Sequence, residues 1–227
     1  MFHSKINTAA NSISKSLLLI TLFCSCLISC STKNTQIRKD TTIVNIKFVK
    51  GKPLPPKEWH VYKINTNEEW IFIPESWHLI NEDRFLLTAR LNVPDSESHF
   101  LVLKLDQKEV KLNAVGYMRE SYKEFIDGSL QKLTGYKTTK LVYNDKVVFS
   151  SEFNTLMDNK SYVTYSTVFE KDNYIFDIVL KVGASDNAQD YQEKYRDILF
   201  NFYYKTKQIF SITDTVKDIK FIDLAKL

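Results

Sequence analysis

Only three cysteines occur in this 227-residue chain, Cys24, Cys26 and Cys30, and none follows position 30. Everything downstream therefore has no thiol to pair or to hold a metal, which excludes a disulfide framework and any Cys-ligated centre there. Glycine is equally sparse, and Gly51, Gly116, Gly128, Gly135 and Gly183 are too scattered to build a phosphate-binding loop of either common spacing. Of the histidines, His60, His78 and His99 lie beyond residue 30, with neither the helical pair of a zinc protease nor a neighbouring cysteine. An excess of one charge is missing too. With 31 Lys and Arg against 27 Asp and Glu, the chain has no reserve for the basic face that a nucleic-acid partner requires.

What is present begins with an address. Residues 1–29 carry Lys5 and Lys15 and no acidic residue, and enclose the apolar run Ser16 to Phe23. That run has signal-peptide length, short of the about 20 apolar residues that span a bilayer. It leads into Leu27-Ile28-Ser29-Cys30, which resembles a bacterial lipobox. The resemblance implies a lipoprotein signal peptide over 1–29, cleavage before Cys30 and a diacylglycerol on the Cys30 thiol. Cys24 follows bulky Phe23, and Cys26 has Phe23 and Cys24 upstream, so Cys30, with small Ser29 before it, is the fitting position. The competing reading is an ordinary cleaved signal or a short uncleaved anchor. One acyl chain binds a membrane marginally, whereas two or three would hold the protein there. Ser31 rather than Asp follows Cys30, and no acidic run comes after it. That places the expectation in the cell envelope, on the periplasmic face of an outer membrane in preference to the inner membrane or the outer cell surface.

Residues 30–42 are polar and read as a flexible tether, about 40 Å long if fully extended and averaging about 20 Å as a coil. The folded domain is expected over 43–204, with Ile43 to Val49 as an N-terminal arm and Gly51, Pro53, Pro55 and Pro56 interrupting regular structure before Trp59. Residues 205–227 read as a C-terminal extension, with a strand over Gln208 to Ile212 and either a helix or a strand over Asp214 to Leu227. Ile46-Lys47-Phe48-Val49 and Ile219-Lys220-Phe221-Ile222 are alike, too briefly to be a repeat.

Within the domain, His60 to Ile64 and Trp70 to Ile73 predict a hairpin across Asn65-Thr66-Asn67-Glu68, and Phe85 to Leu91 and Phe100 to Leu105 are β-prone. Met118, Tyr122, Phe125, Ile126, Leu130 and Leu133 recur as one helical stripe, weakened at Gly128 and ended near Gly135. Val147 to Val182 reads as a three-stranded meander turning at Asp158-Asn159-Lys160 and Lys171-Asp172-Asn173. In its last strand, Tyr174, Phe176, Ile178, Leu180 and Val182 make the core face, and Ile175, Asp177, Val179 and Lys181 a mixed one. Asp186 and Gln189 are placed to cap a second amphipathic helix carrying Tyr191, Tyr195, Ile198, Leu199 and Phe202. The fold class is α+β: an α/β/α sandwich with a mainly antiparallel sheet and at least two amphipathic helices, or two layers if both helices share a face.

Three features together resemble the PsbP-like family: the phrase Trp70-Ile71-Phe72-Ile73-Pro74-Glu75-Ser76-Trp77, the middle helix followed by consecutive antiparallel strands through Tyr174-Ile175-Phe176-Asp177-Ile178, and the closing helix. The resemblance covers roughly residues 59–204. It departs from the pattern at Ser76, where a Gly is common, and in the tail after Tyr204. It implies a sandwich fold and a binding or assembly role without catalysis, and as fold-level analogy it assigns no active-site residue.

No sequence motif marks a nucleophile elbow. Asp95, Glu97 and His99 alternate in one loop, and Glu68-Glu69 and Glu82-Asp83 are adjacent carboxylates; solvated turns explain all three better than metal ligation or acid–base work. No metal site, catalytic residue or cofactor is assigned. Trp59, Trp70 and Trp77 are the candidate residues for contact with a ligand or partner, core packing being the competing explanation. The expected function is that of a membrane-anchored envelope lipoprotein binding a protein or envelope component. A small-ligand or glycan-binding lipoprotein is the alternative, and an envelope hydrolase a third class.

Overall fold

Two Asp-Asn pairs set the frame of the molecule. Asp158 and Asn159 have φ of 51° and 62°, and Asp172 and Asn173 have φ of 51° and 66°. Two successive left-handed residues make the tight turn whose twist matches antiparallel strands, and Asx residues tolerate that region best after glycine. They join β7 (Lys146–Met157), β8 (Lys160–Lys171) and β9 (Tyr174–Val182) into the meander expected from the sequence.

The computed structural model describes residues 59–63, 68–80, 85–91, 96–127, 131–143, 146–205, 207–211 and 216–226. The signal peptide, Cys30, the tether, the arm, Glu82-Asp83 and Asp95 lie outside them. The remaining strands are β1 (Trp59–Lys63), β2 (Glu69–Pro74), β3 (Trp77–Leu79), β4 (Leu87–Leu91), β5 (His99–Asp106), β6 (Lys132–Tyr143), β10 (Phe202–Tyr204), β11 (Lys207–Gln208) and β12 (Val216–Ile222). The helices are the single turn α1 (Gln107–Val110), α2 (Ala114–Asp127) and α3 (Ala188–Phe200), with a short 3₁₀ turn at Leu224–Lys226. Among the described residues the larger sheet has eight strands in the order β12-β6-β7-β8-β9-β5-β4-β3, and a second sheet has the order β1-β2-β10-β11. All the strand pairs are antiparallel.

The large sheet is the middle layer. On one face α3 and the small sheet enclose Ile71, Ile73, Trp77, Phe100, Phe176, Ile178, Leu180, Tyr195, Ile198 and Phe202. On the other face α2 covers Phe149, Phe153, Val168 and Ile175 with its own Ala114, Tyr117, Met118 and Tyr122. This is the expected α+β sandwich, with one outer layer shared between a helix and a second sheet. The first core is rich in stacked rings: Phe169 lies 5.2 Å from Phe176, nearly parallel, and 5.2 Å from Phe210, edge-on. Lys104 of β5 bridges the sheets, its Nζ 2.5 Å from Glu69 Oε1 and 3.5 Å from Glu68 Oε2. Glu69 is fully buried, so one of the two carboxylates expected in a solvated turn is instead held inside by an ion pair.

Four local expectations change. The described α2 helix runs to Asp127, Gly128 and Leu130 lie outside the described residues, and Leu133 belongs to β6, because its Thr- and Tyr-rich stretch suits a pleated surface. Gly135 does not end a helix; it sits at the irregularity between Leu133 and Gly135 in the β6–β7 ladder. Asn187, not Asp186, caps α3, its side chain accepting from the Gln189 N–H at 3.0 Å; α3 ends at Phe200, so Phe202 packs from a strand. The mixed face of β9 is buried as well, Asp177 and Lys181 included. Residues 205–227 contribute β11 and β12 to the two sheets.

Candidate functional site

The tryptophans separate. Trp77 is 2% exposed, wedged 6.1 Å from both Phe100 and Tyr191, so burial removes it as a contact residue. Trp59 is half-buried against the first core and stands opposite Pro74, while Trp70, also half-buried, stands opposite Lys63 at the far end of that hairpin.

Polar chemistry concentrates where β5 begins. Alternation along the strand sends Ser98 and His99 to opposite faces, which keeps the hydroxyl and the imidazole apart. Fully buried Ser98 donates through Oγ to Asp186 Oδ2 at 2.5 Å and accepts from the Gly183 N–H at 2.8 Å; Ser96 Oγ donates to the same carboxylate oxygen at 2.9 Å. Asp186 thus fastens the β4–β5 connection to the β9–α3 connection. Gly183 suits that closeness: an added Cβ would stand 3.1 Å from Asp186 Oδ2 and 3.1 Å from Glu97 Cβ, so both neighbours would have to give by a few tenths of an ångström.

On the opposite face, register aligns Arg90 of β4, His99 of β5 and Lys181 of β9 in one row. Burial drives the His99 pKa down to about 4, and the Lys181 and Arg90 charges push the same way, so the ring is neutral at pH 7. Its Nδ1 lies 2.9 Å from the Glu97 carbonyl oxygen, fixing the tautomer in which Nδ1–H donates. Lys181 Nζ stands 4.4 Å from the centre of the Tyr162 ring. The Tyr162 hydroxyl donates to Glu97 Oε2, and Lys160 Nζ lies 3.0 Å from Glu97 Oε1. The Tyr162 bond, with Lys160, holds the Glu97 carboxyl below its ordinary pKa. Glu97 and His99, candidate ligands by spacing, therefore face internal partners, and among the described residues no three His, Cys, Asp or Glu side chains gather around a metal-sized space.

A different surface stands out for what it leaves uncovered. In β12, Ile219 is 60% and Phe221 74% exposed, on the same face and opposite Leu141 and Thr139 of β6. Lys137 Nζ, 5.4 Å from the centre of the Phe221 ring, is its partner on the chain. Ile222, on the reverse face, packs into the core under α2. Among the described residues β12 is hydrogen-bonded on one side only, to β6. An open edge carrying apolar side chains is the arrangement that accepts an added strand. The sequence signal for this surface is the alternation of Ile219 and Phe221 with the charged Asp218 and Lys220, and only the packing of half-buried Ile222 shows which face is free.

No family model matches the chain, and neither does any curated protein. Among solved structures it is similar to the solution structure of cyanobacterial PsbP (CyanoP) from Synechocystis sp., with 11% identity over 70% of this chain and 98% of that one and a TM-score of 0.49. A crystal structure from Bacteroides thetaiotaomicron matches 63% of this chain at 11% identity and a TM-score of 0.40, the match covering 47% of that protein. A Pseudomonas aeruginosa protein of unknown function, PA94, matches 61% of this chain and 92% of its own at 8% identity and a TM-score of 0.37. No residue's role passes from these structures to this chain.

Proposed function

We propose that this protein is a non-catalytic binding module of the cell envelope, tethered to a membrane through lipid on Cys30, that captures a protein partner by strand addition at β12. The exposure of Ile219 and Phe221 on a sheet edge that no described residue pairs with carries this reading. The lipobox-like Leu27-Ile28-Ser29-Cys30 supports the tether, and no helix among the described residues is long and apolar enough to cross a membrane. Main-chain hydrogen bonds would supply affinity in such a complex, and the Ile219 and Phe221 side chains its selectivity. The periplasmic face of an outer membrane is the location that the Ser31 context favours.

Photo-crosslinking from position 221 of the full-length protein in native membranes tests this, with position 193, exposed on α3, as the control. A discrete protein should be captured from 221 and not from 193, and be lost when Ile219 is replaced by Lys. Its membrane fraction should fall in Cys30→Ala. Equal capture from both positions, or recovery of a glycan or small molecule alone, would reject strand addition and favour the ligand-binding alternative.

A further inference from the structure

We infer that residues 43–49, the arm between the tether and the folded domain, lie as a strap across the outer face of the small sheet. The inference is independent of strand addition at β12. Ile71 and Ile73 of β2, and Phe202 and Tyr204 of β10, point into the core under α3. Alternation therefore sends Phe72, Pro74 and Tyr203 to the other side of that sheet, away from the large one. Water is expected on such a face, yet Phe72 is 2% and Tyr203 7% exposed, their rings 6.1 Å apart, and Pro74 is buried as well. Val61, opposite Phe72, and Trp70, opposite Tyr203, are half-buried on the same face. Among the described residues, Phe72 and Tyr203 belong to neither core, and Trp70 and Phe72 both hold further contacts. The cover is built by the chain itself.

Composition selects the segment. Within the domain, the stretches between the described residues, 64–67, 81–84, 92–95, 128–130, 144–145, 206 and 212–215, are at most four residues long and carry no more than one Ile, Leu, Val or aromatic residue each. Residues 43–49 carry five, and Val44, Ile46 and Phe48 alternate with Asn45 and Lys47, so an extended arm has one apolar and one polar edge. Reach agrees with this choice. Phe72 lies about 8 Å from the start of β1, two residues along that strand and one strand spacing across. The nine residues 50–58 span up to about 30 Å, and Gly51, Pro53, Pro55 and Pro56 among them break regular structure, which lets the chain turn back over the sheet. With lipid on Cys30, the strap attaches the free tether, residues 30–42, at the small sheet and not at the β12 edge.

Tyrosine nitration of the full chain, read by peptide mass spectrometry, tests this, with Tyr195 in the core under α3 as the internal reference. Both Tyr203 and Tyr195 are buried and should react slowly in the wild type. With Ile46→Asp and Phe48→Asp together, Tyr203 should react about tenfold faster or more while Tyr195 stays protected, because loss of the strap opens the outer face and not the core. Asn45→Ser with Lys47→Ser, on the polar edge of the arm, should leave both rates as they are. A photo-crosslinking side chain at position 203 should join residues 43–49 of the same chain. An unchanged Tyr203 rate in I46D/F48D, equal quickening in N45S/K47S, or a crosslink from 203 to any other segment or to a second chain would overturn the inference. Should Tyr195 quicken together with Tyr203, the fold itself has loosened, and the site of the crosslink decides alone.

Discussion

Asp177 is the residue whose chemistry bears most directly on stability. It is buried on the α2 face of β9, where it accepts from the Tyr117 hydroxyl at 2.7 Å and from Ser166 Oγ at 2.7 Å. Burial raises its pKa to about 6, the two hydroxyl donors opposing the rise without cancelling it. The folded state therefore keeps this proton to a higher pH than the unfolded chain does. The stabilising contribution is complete below about pH 4 and is lost as the pH rises through about 6. Asp177→Asn keeps an acceptor and removes the titration. Urea midpoints measured from pH 4 to pH 7 should fall more steeply for the wild type, by up to about 3 kcal/mol across the range, than for D177N. Equal slopes would mean that Asp177 is ionised in the folded protein throughout. Tyr117, raised by burial and by the Asp177 carboxylate, stays a neutral donor at every pH in this range.

At the scale of elements, the turns test how the meander is set. Asn173 has φ of 66°, where a β-branched residue is strained and glycine is not. Asn173→Gly should raise the melting temperature slightly or leave it unchanged, and Asn173→Val should cost about 1–2 kcal/mol; equal effects from the two would show that the turn tolerates another conformation. These turns were legible in the sequence because Asp-Asn between alternating apolar runs is a short-range signal. The hairpin at 59–74, α2 near Met118 and α3 near Tyr191 were legible for the same kind of reason. β6 was not, because its interior positions hide: Thr138 is buried, and its hydroxyl pairs with Ser151 Oγ at 3.0 Å, so a core position reads as polar. Glu69 was misread as exposed for a related reason, since its partner Lys104 lies 35 residues away and only the fold brings them together. The row of Arg90, His99 and Lys181 depends on the register of three strands, which no local pattern contains. Nor was the division of strands between two sheets visible, for β2 finds β10 across more than a hundred residues.

For the molecule as a whole, the two cores lie on opposite faces of one sheet and depend on different parts of the chain. The core under α2 is completed from the C-terminus: Leu224 is 2% exposed among Ala114, Tyr117, Tyr122 and Phe149, and the Tyr136 hydroxyl donates to Asp223 Oδ1 at 2.6 Å. Among the described residues, the core under α3 and the small sheet draws nothing from beyond Phe210. Ending the chain after Ser211 should therefore act unequally. It removes Leu224, whose burial is worth about 2 kcal/mol, together with β12, and it leaves the twelve residues of β6 as an unprotected edge. Hydrogen exchange should quicken across α2 and β6, while α3, β2 and β10 keep their protection until global unfolding. The truncated protein should also self-associate irreversibly at concentrations where the full chain does not, since the twelve-residue β6 exposes a longer ladder than the seven-residue β12. Unchanged protection in α2 would make residues 212–227 an appendage, with Leu224 resting on a core that does not need it. Uniform loss of protection would make the sheet a single cooperative unit whose two faces cannot open separately, and strand addition at β12 would then stabilise the whole molecule rather than one layer of it.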